Sequence, residues 1–193
     1  MKNPGWIIVF LIAAVGSFFC SAAVFCTEPV EKGSQINFNL PLPDSVQTQT
    51  YLGLSEMKAF KVSDIKAQMV IIELMSSRCP HCQANAPIMN DIYKKMQADS
   101  GLADVKVFAI ALADDKAGLE TFKKQFKTSF PVLLDESLEI THSMTGLATP
   151  TTMIVSTEES RILFIHAGEI PDADKFIKQV KFVKQLEAWD KEK

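Results

Sequence analysis

Residues 70–92, VIIELMSSRCPHCQANAPIMNDI, decide the fold. With Met69, the run MVIIELM over residues 69–75 is almost continuously apolar, the pattern of a central strand covered on both faces. Four residues after that run stands Cys79, and Cys82 comes next at CxxC spacing. Over residues 84–96 the apolar positions Ile88, Ile92 and Met96 recur every four residues, which predicts a helix. Pro87 lies inside that helix and is expected to kink it.

Two cysteines three apart at the start of a helix are placed to make and break one disulfide. Unpaired backbone N–H groups and the helix dipole stabilise an anion at the first of them. The thiolate is the attacking nucleophile and also the better leaving group. Pro80 falls at the first helical position, where a missing N–H costs nothing. Cys79 is therefore read as the nucleophile and Cys82, one turn further in and more buried, as the group that resolves a mixed disulfide. His81 and Arg78 flank the nucleophile, and a cation there lowers its pKa further; Arg78 also fits a solvated surface residue. Glu73, six residues before Cys79, is a carboxylate inside the apolar run. Burying such a charge unpaired is expensive, so it either serves a purpose or reaches water at a strand end. The expected purpose is to sit beneath the disulfide and take the proton from Cys82.

Zinc is the main competing use of a CxxC, but it takes four ligands. The chain has no second CxxC and no HxxxH, and His142 and His166 stand apart in sequence, so no metal is expected.

Outward from this stretch, residues 104–112 (DVKVFAIAL) read as a second strand and residues 116–126 as a helix with Leu119, Phe122 and Phe126 on one face. Residues 131–134, 151–155 and 161–165 read as strands, the last two a hairpin, and residues 138–144 as a short helix. Residues 172–186 read as a final amphipathic helix capped by Asp172, with Phe176, Val180 and Val183 inward. Upstream, residues 36–42 read as a short edge strand or extended segment and residues 51–62 as a short hairpin, then a turn or helix start over 63–66. The order is that of an α/β sheet with helices on both faces.

Residues 6–25 (WIIVFLIAAVGSFFCSAAVF) carry no charge. At about 1.5 Å per residue they span roughly 30 Å, enough for a bilayer core. Residues 1–26 are read as an anchor, or as a signal peptide cleaved near Ser21-Ala22-Ala23; Cys20 and Cys26 belong to this segment. Lys2 precedes it, so the positive-inside tendency puts the rest of the chain outside the cytoplasm. Residues 27–35 read as a linker and 36–190 as the domain. The net charge is -3, and no basic stripe with interleaved aromatics points to nucleic acid.

The 70–92 stretch resembles the active-site segment of the thioredoxin superfamily. The match lies in the apolar strand, the acidic residue six before the first cysteine, the CxxC and the Ala-Pro-Ile of the next helix. Residues 146–152 (GLATPTT) resemble that family's cis-proline loop. The resemblance implies a thioredoxin-like fold with a central mixed β-sheet. It also implies a cis Thr149–Pro150 bond packed against the disulfide, and a substrate chain paired with the backbone of Thr149. Residues 37–75 (NFNLP through MVIIELM) and the insert around 114–130 resemble the membrane-tethered TlpA/ResA-like branch. Three departures stand out. Arg78 replaces the usual Trp, Asn85 replaces the Glu that ResA-like reductases carry three residues after the second cysteine, and the CPHC motif is that of DsbA-type oxidases. There is no sign of the inserted helical domain of the latter.

The resemblance implies an extracytoplasmic thiol–disulfide oxidoreductase with no cofactor beyond its redox-active Cys79–Cys82 disulfide. Its partners are then exported proteins with thiols or disulfides and a membrane partner that recharges the pair. Two other readings are weighed. A peroxiredoxin-like peroxidase shares the core and wants a Ser or Thr three residues before the cysteine, where Ser76 stands. A copper- or haem-handling thiol protein could enlist Met144 and Met153, although core packing is the first reading of both.

Overall fold

The structure, a computed structural model, describes residues 30–55, 59–144 and 146–192. The apolar segment 6–25, Cys20, Cys26 and the start of the linker lie outside the described residues. Among the described residues, no helix is long and apolar enough to cross a membrane.

The chain runs β1 (Leu40–Pro41), α1 (Val46–Leu52), β2 (Ala59–Phe60), β3 (Met69–Met75), α2 (Pro80–Ala98), β4 (Val105–Ala111), α3 (Lys116–Phe126), β5 (Val132–Leu134), α4 (Glu139–Ser143), β6 (Thr151–Ser156), β7 (Ile162–Ala167) and α5 (Ala173–Lys191). Five strands make one sheet in the order β5-β4-β3-β6-β7. β3, β4 and β5 are parallel. β6 pairs antiparallel with β3 and with β7, so the sheet is mixed.

All seven residues of β3 are buried. That is why its sequence shows no polar alternation: it is the central strand, and both of its faces meet hydrophobic layers. Met69, Ile71 and Met75 face a core built with Cys82, Ala86, Met89 and Ile92 of α2, Leu119 and Phe122 of α3, and Phe176 and Val180 of α5. Val70, Ile72 and Leu74 face a second core with Phe108, Met153, Leu52 of α1, Phe60 of β2 and Ile140 of α4. Each fully buried aliphatic side chain contributes about 1.5–3 kcal/mol, so this double burial holds the layers together.

The expected hairpin over 51–62 is not formed. Residues 46–52 are helical because Ser45 caps the segment, its Oγ accepting from Thr48 N at 3.0 Å, and Gly53 ends it at φ 69. Gly supplies that left-handed C-cap at no steric cost. The next strand, β2, pairs instead with β1. The remaining elements fall within a few residues of the sequence reading, and α3 occupies 116–126. The active-site helix starts at Pro80, as its place after Cys79 predicts, and runs through Pro87 as one helix to Ala98.

The β7 edge of the sheet is covered. Ser34 O accepts from Ile162 N at 2.9 Å, and Gly33 N donates to Ile162 O at 2.8 Å, so the segment before β1 lies along β7. On the other side β5 is short and meets only Ala109–Ala111 of β4. The next outward N–H of β4, that of Val107, donates to the Tyr51 hydroxyl at 2.9 Å. Burial pushes the Tyr51 phenol up to about 12. Tyr51→Phe leaves the Val107 N–H without its partner and is expected to lower stability by about 1–3 kcal/mol, read by urea unfolding with an unchanged m value.

Candidate active site

β3 delivers the chain into the loop 76–79, and Cys79 is the N-cap residue of α2 with Pro80 at its first position. Cys79 is partly buried and Cys82 is 1% exposed; both are free thiols. The Cys79 Sγ donates to the carbonyl of Thr149 at 3.2 Å, across 70 residues. The Thr149–Pro150 bond is cis, and Pro150 is buried. Cys79, Cys82, Thr149 and Pro150 therefore share one end of the sheet. Around them Arg78, Pro80 and His81 stand exposed.

The two thiols differ in acidity. Burial pushes Cys79 up, but hydrogen bonds with Thr149, Cys82 and the free N–H groups of Cys82 and His81 outweigh it, so Cys79 lies below the ordinary thiol value. Those N–H groups are the orphan donors of the first helical turn. Burial pushes Cys82 the other way, up to about 12, against a hydrogen bond from Ser76 N at 3.5 Å.

Glu73 is 2% exposed and lies on the β3 face that packs against α2. It does not reach water as a strand-end group. Its Oε1 accepts from Asn85 Nδ2 at 2.8 Å. Burial raises its pKa to about 7, and the Asn85 hydrogen bond holds it below what burial alone would give. Asn85 lies one helical turn past Cys82, so the carboxylate sits under the turn that carries Cys82.

The flanking cations are both held. His81 Nδ1 lies 2.7 Å from Glu169 Oε1, and this pairing raises its pKa. Arg78 Nη2 donates to Ala113 O at 2.5 Å, and its Nη1 lies 3.6 Å from Asp115. Ser77 is clamped as well, its N and Oγ donating to the two oxygens of Asp114 at 2.5 and 2.7 Å. Gly118 permits that approach, since a Cβ there would meet Ser77 Oγ at 3.1 Å.

Three partners escaped the sequence reading: Asn85, Glu169 and Asp114. Asn85 carried a signal in its place three residues after Cys82; Glu169 and Asp114 carried none, being 88 and 37 residues from their partners. Met144 and Met153 pack in the core on the opposite side of the sheet from the cysteines, so they are not placed to assist a metal there. Side-chain alternation in β6 puts Met153 on that far face. Among the described residues, no three His, Cys, Asp or Glu side chains cluster to hold a metal ion. Ser76 Oγ accepts from Arg78 N at 3.4 Å, and its N–H donates to Cys82 Sγ at 3.5 Å.

The raised Glu73 pKa has a consequence for stability. As pH rises, the unfolded chain loses this proton near 4.5 and the folded chain only near 7. Between those values the folded state binds more protons, so stability falls by on the order of 3 kcal/mol across the window. Glu73→Gln keeps an acceptor for Asn85 and removes that fall. Urea unfolding of both proteins at pH 4.5 and pH 8 is expected to show the variant gaining relative stability at the higher pH; parallel pH profiles would contradict the burial of an ionisable Glu73.

The family model described as AhpC/TSA matches residues 36–160. A thiol-disulfide oxidoreductase ResA of Bacillus subtilis is 24% identical over 152 residues, 79% of this chain and 76% of the relative. A protein of the same name from Geobacillus thermodenitrificans is 23% identical over 149 residues, 77% of each chain. Among solved structures, a putative thiol:disulfide interchange protein DsbE from Chlorobium tepidum superposes with a TM-score of 0.59 at 21% identity, over 80% of this chain and 98% of that one. StoA from Bacillus subtilis gives 0.50 at 24% identity, over 57% and 81%. The mixed sheet, the CxxC at a helix start and the facing cis-proline loop thus agree with these likenesses, and the chain belongs to the AhpC/TSA family, with a thioredoxin-like fold and curated relatives that are thiol-disulfide oxidoreductases.

Proposed function

We propose that the chain is a thiol–disulfide oxidoreductase that works outside the cytoplasm and exchanges the Cys79–Cys82 disulfide with cysteines of exported proteins. The observation that carries the reading is the split between the two thiols: Cys79 acidified at the helix start beside Thr149, Cys82 buried and held protonated. In the reducing direction the Cys79 thiolate attacks one sulfur of a client disulfide, and the other client sulfur leaves as a thiolate. Cys82 then gives its proton to the Glu73 carboxylate and attacks the Cys79 sulfur. The client is released as its second thiolate, and the Cys79–Cys82 disulfide remains. Oxidation of a client runs the same steps backwards.

The Thr149 carbonyl lies beside the nucleophile, which supports a client backbone aligned there. The apolar segment 6–25 supports a tether or export signal, and with it a membrane partner that recharges the pair. The test is direct. Cys79→Ser is expected to abolish insulin-disulfide exchange, and Cys82→Ser to accumulate a client adduct that dithiothreitol releases. Exchange surviving in Cys79→Ser would refute the nucleophile assignment.

A thiolate stabilised at Cys79 favours the reduced form, which makes the disulfide more oxidising. The potential of the pair in glutathione buffers is expected above the value of about -270 mV typical of thioredoxin, and His81→Ala is expected to move it in the negative direction. An unchanged potential in that variant would remove His81 from the tuning of the site.

A further inference from the structure

We propose that Asn85 is the positioning residue for the Glu73 carboxylate, its amide locked by the Ile170 N–H so that the NH2 group has to face Glu73. The inference deepens the thiol-exchange reading above and rests on it.

An asparagine side chain normally has two orientations, oxygen and nitrogen exchanged. Here both ends are engaged. Asn85 Oδ1 accepts from Ile170 N at 2.9 Å, and Asn85 Nδ2 donates to Glu73 Oε1 at 2.8 Å. Asn85 is fully buried and Ile170 is 3% exposed, so bulk water replaces neither partner. A flipped amide would set its NH2 against a backbone N–H and its oxygen against a carboxylate, leaving two buried pairs in repulsion. The Ile170 N–H, 85 residues away, thereby dictates what Glu73 meets.

Among the described residues, Asn85 is the side chain that hydrogen-bonds the carboxylate, and neither neighbouring strand donates to it in this structure. The register sets Ala109 of β4 and Thr152 of β6 beside Glu73 on the same face. Ala109 has no polar side-chain atom, and the Thr152 hydroxyl is buried without a hydrogen-bond partner. No charged side chain among the described residues hydrogen-bonds the carboxylate; from α2 the groups on its side are Asn85 and the Cys82 thiol. A donor to one carboxylate oxygen favours the ionised form, the form able to take a proton from Cys82. A buried carboxylate without that donor stays protonated to higher pH and accepts nothing. The loop that supplies the Ile170 N–H also carries Glu169, the partner of His81, so one turn after β7 holds a partner for each side of the exchange.

The full-length protein, 13C-labelled at glutamate side chains, tests this together with a single-turnover reaction. Ellman's reagent is attacked by Cys79, which releases one thionitrobenzoate, and attack by Cys82 on the resulting mixed disulfide releases the second. Asn85→Leu keeps the volume and removes the donor. It is expected to raise the Glu73 titration by about one pH unit and to slow the second release near pH 7 by roughly tenfold, with the first release unchanged. Asn85→Asp keeps an acceptor for Ile170 and sets a second carboxylate on Glu73, so the titration rises further still. A merely structural role does not produce that order. If both variants fold and Glu73 titrates as in the parent protein, the proposal is overturned; if Asn85→Leu does not fold, Asn85→Asp decides by the same measurement. Should Glu73→Gln leave the second release untouched, the proton-acceptor reading of Glu73 fails, and the carboxyl titration still judges the lock by itself.

Discussion

A strand buried on both faces, leading into the N-terminus of a helix, is the constraint on which the rest of the molecule depends. β3 cannot leave the centre of the sheet without exposing seven buried side chains, and so its end is held in place. The short loop after it therefore delivers Cys79 to one point above the sheet. At that point α2 has N–H groups with no helical partner. The sulfur meets them because the strand beneath cannot move.

The same strand carries Glu73 on the face that α2 covers. A carboxylate there is costly in isolation and becomes useful only through its surroundings. Desolvation pushes it toward neutrality and Asn85 pulls it back toward charge, with the balance at about 7. The two cysteines show the corresponding division: one meets the helix end and the cis-proline loop, the other is sunk among apolar neighbours. Two sulfurs three residues apart thus acquire opposite acidities, hydrogen bonds lowering one and burial raising the other.

Around this centre the loops act as clamps. Asp114 fixes Ser77, Ala113 accepts from Arg78, and the turn after β7 reaches both His81 and Asn85. Ala113 adopts φ 48, a left-handed conformation that costs an alanine about 1 kcal/mol, and its carbonyl is the one that Arg78 grips. Together these contacts tie the segment around Cys79 to the loops that surround it.

The amino-acid sequence by itself determined the elements whose signal is local. The uninterrupted apolar run of β3, the spacing of Leu119, Phe122 and Phe126 in α3, and the CxxC with proline between were readable because each reports on neighbours within a few residues. The same locality misled at residues 51–62, where the capping of α1 by Ser45 and Gly53 outweighed the strand-like composition. Tertiary structure alone decided the partners. Asn85 and Glu73 are 12 residues apart, Asn85 and Ile170 are 85 apart, and His81 and Glu169 are 88 apart. It also decided that Met153 points away from the cysteines. Such pairings are set by strand order, register and the side of the sheet on which a helix lands. Those depend on how the whole chain closes its two cores, and no single stretch of residues contains them.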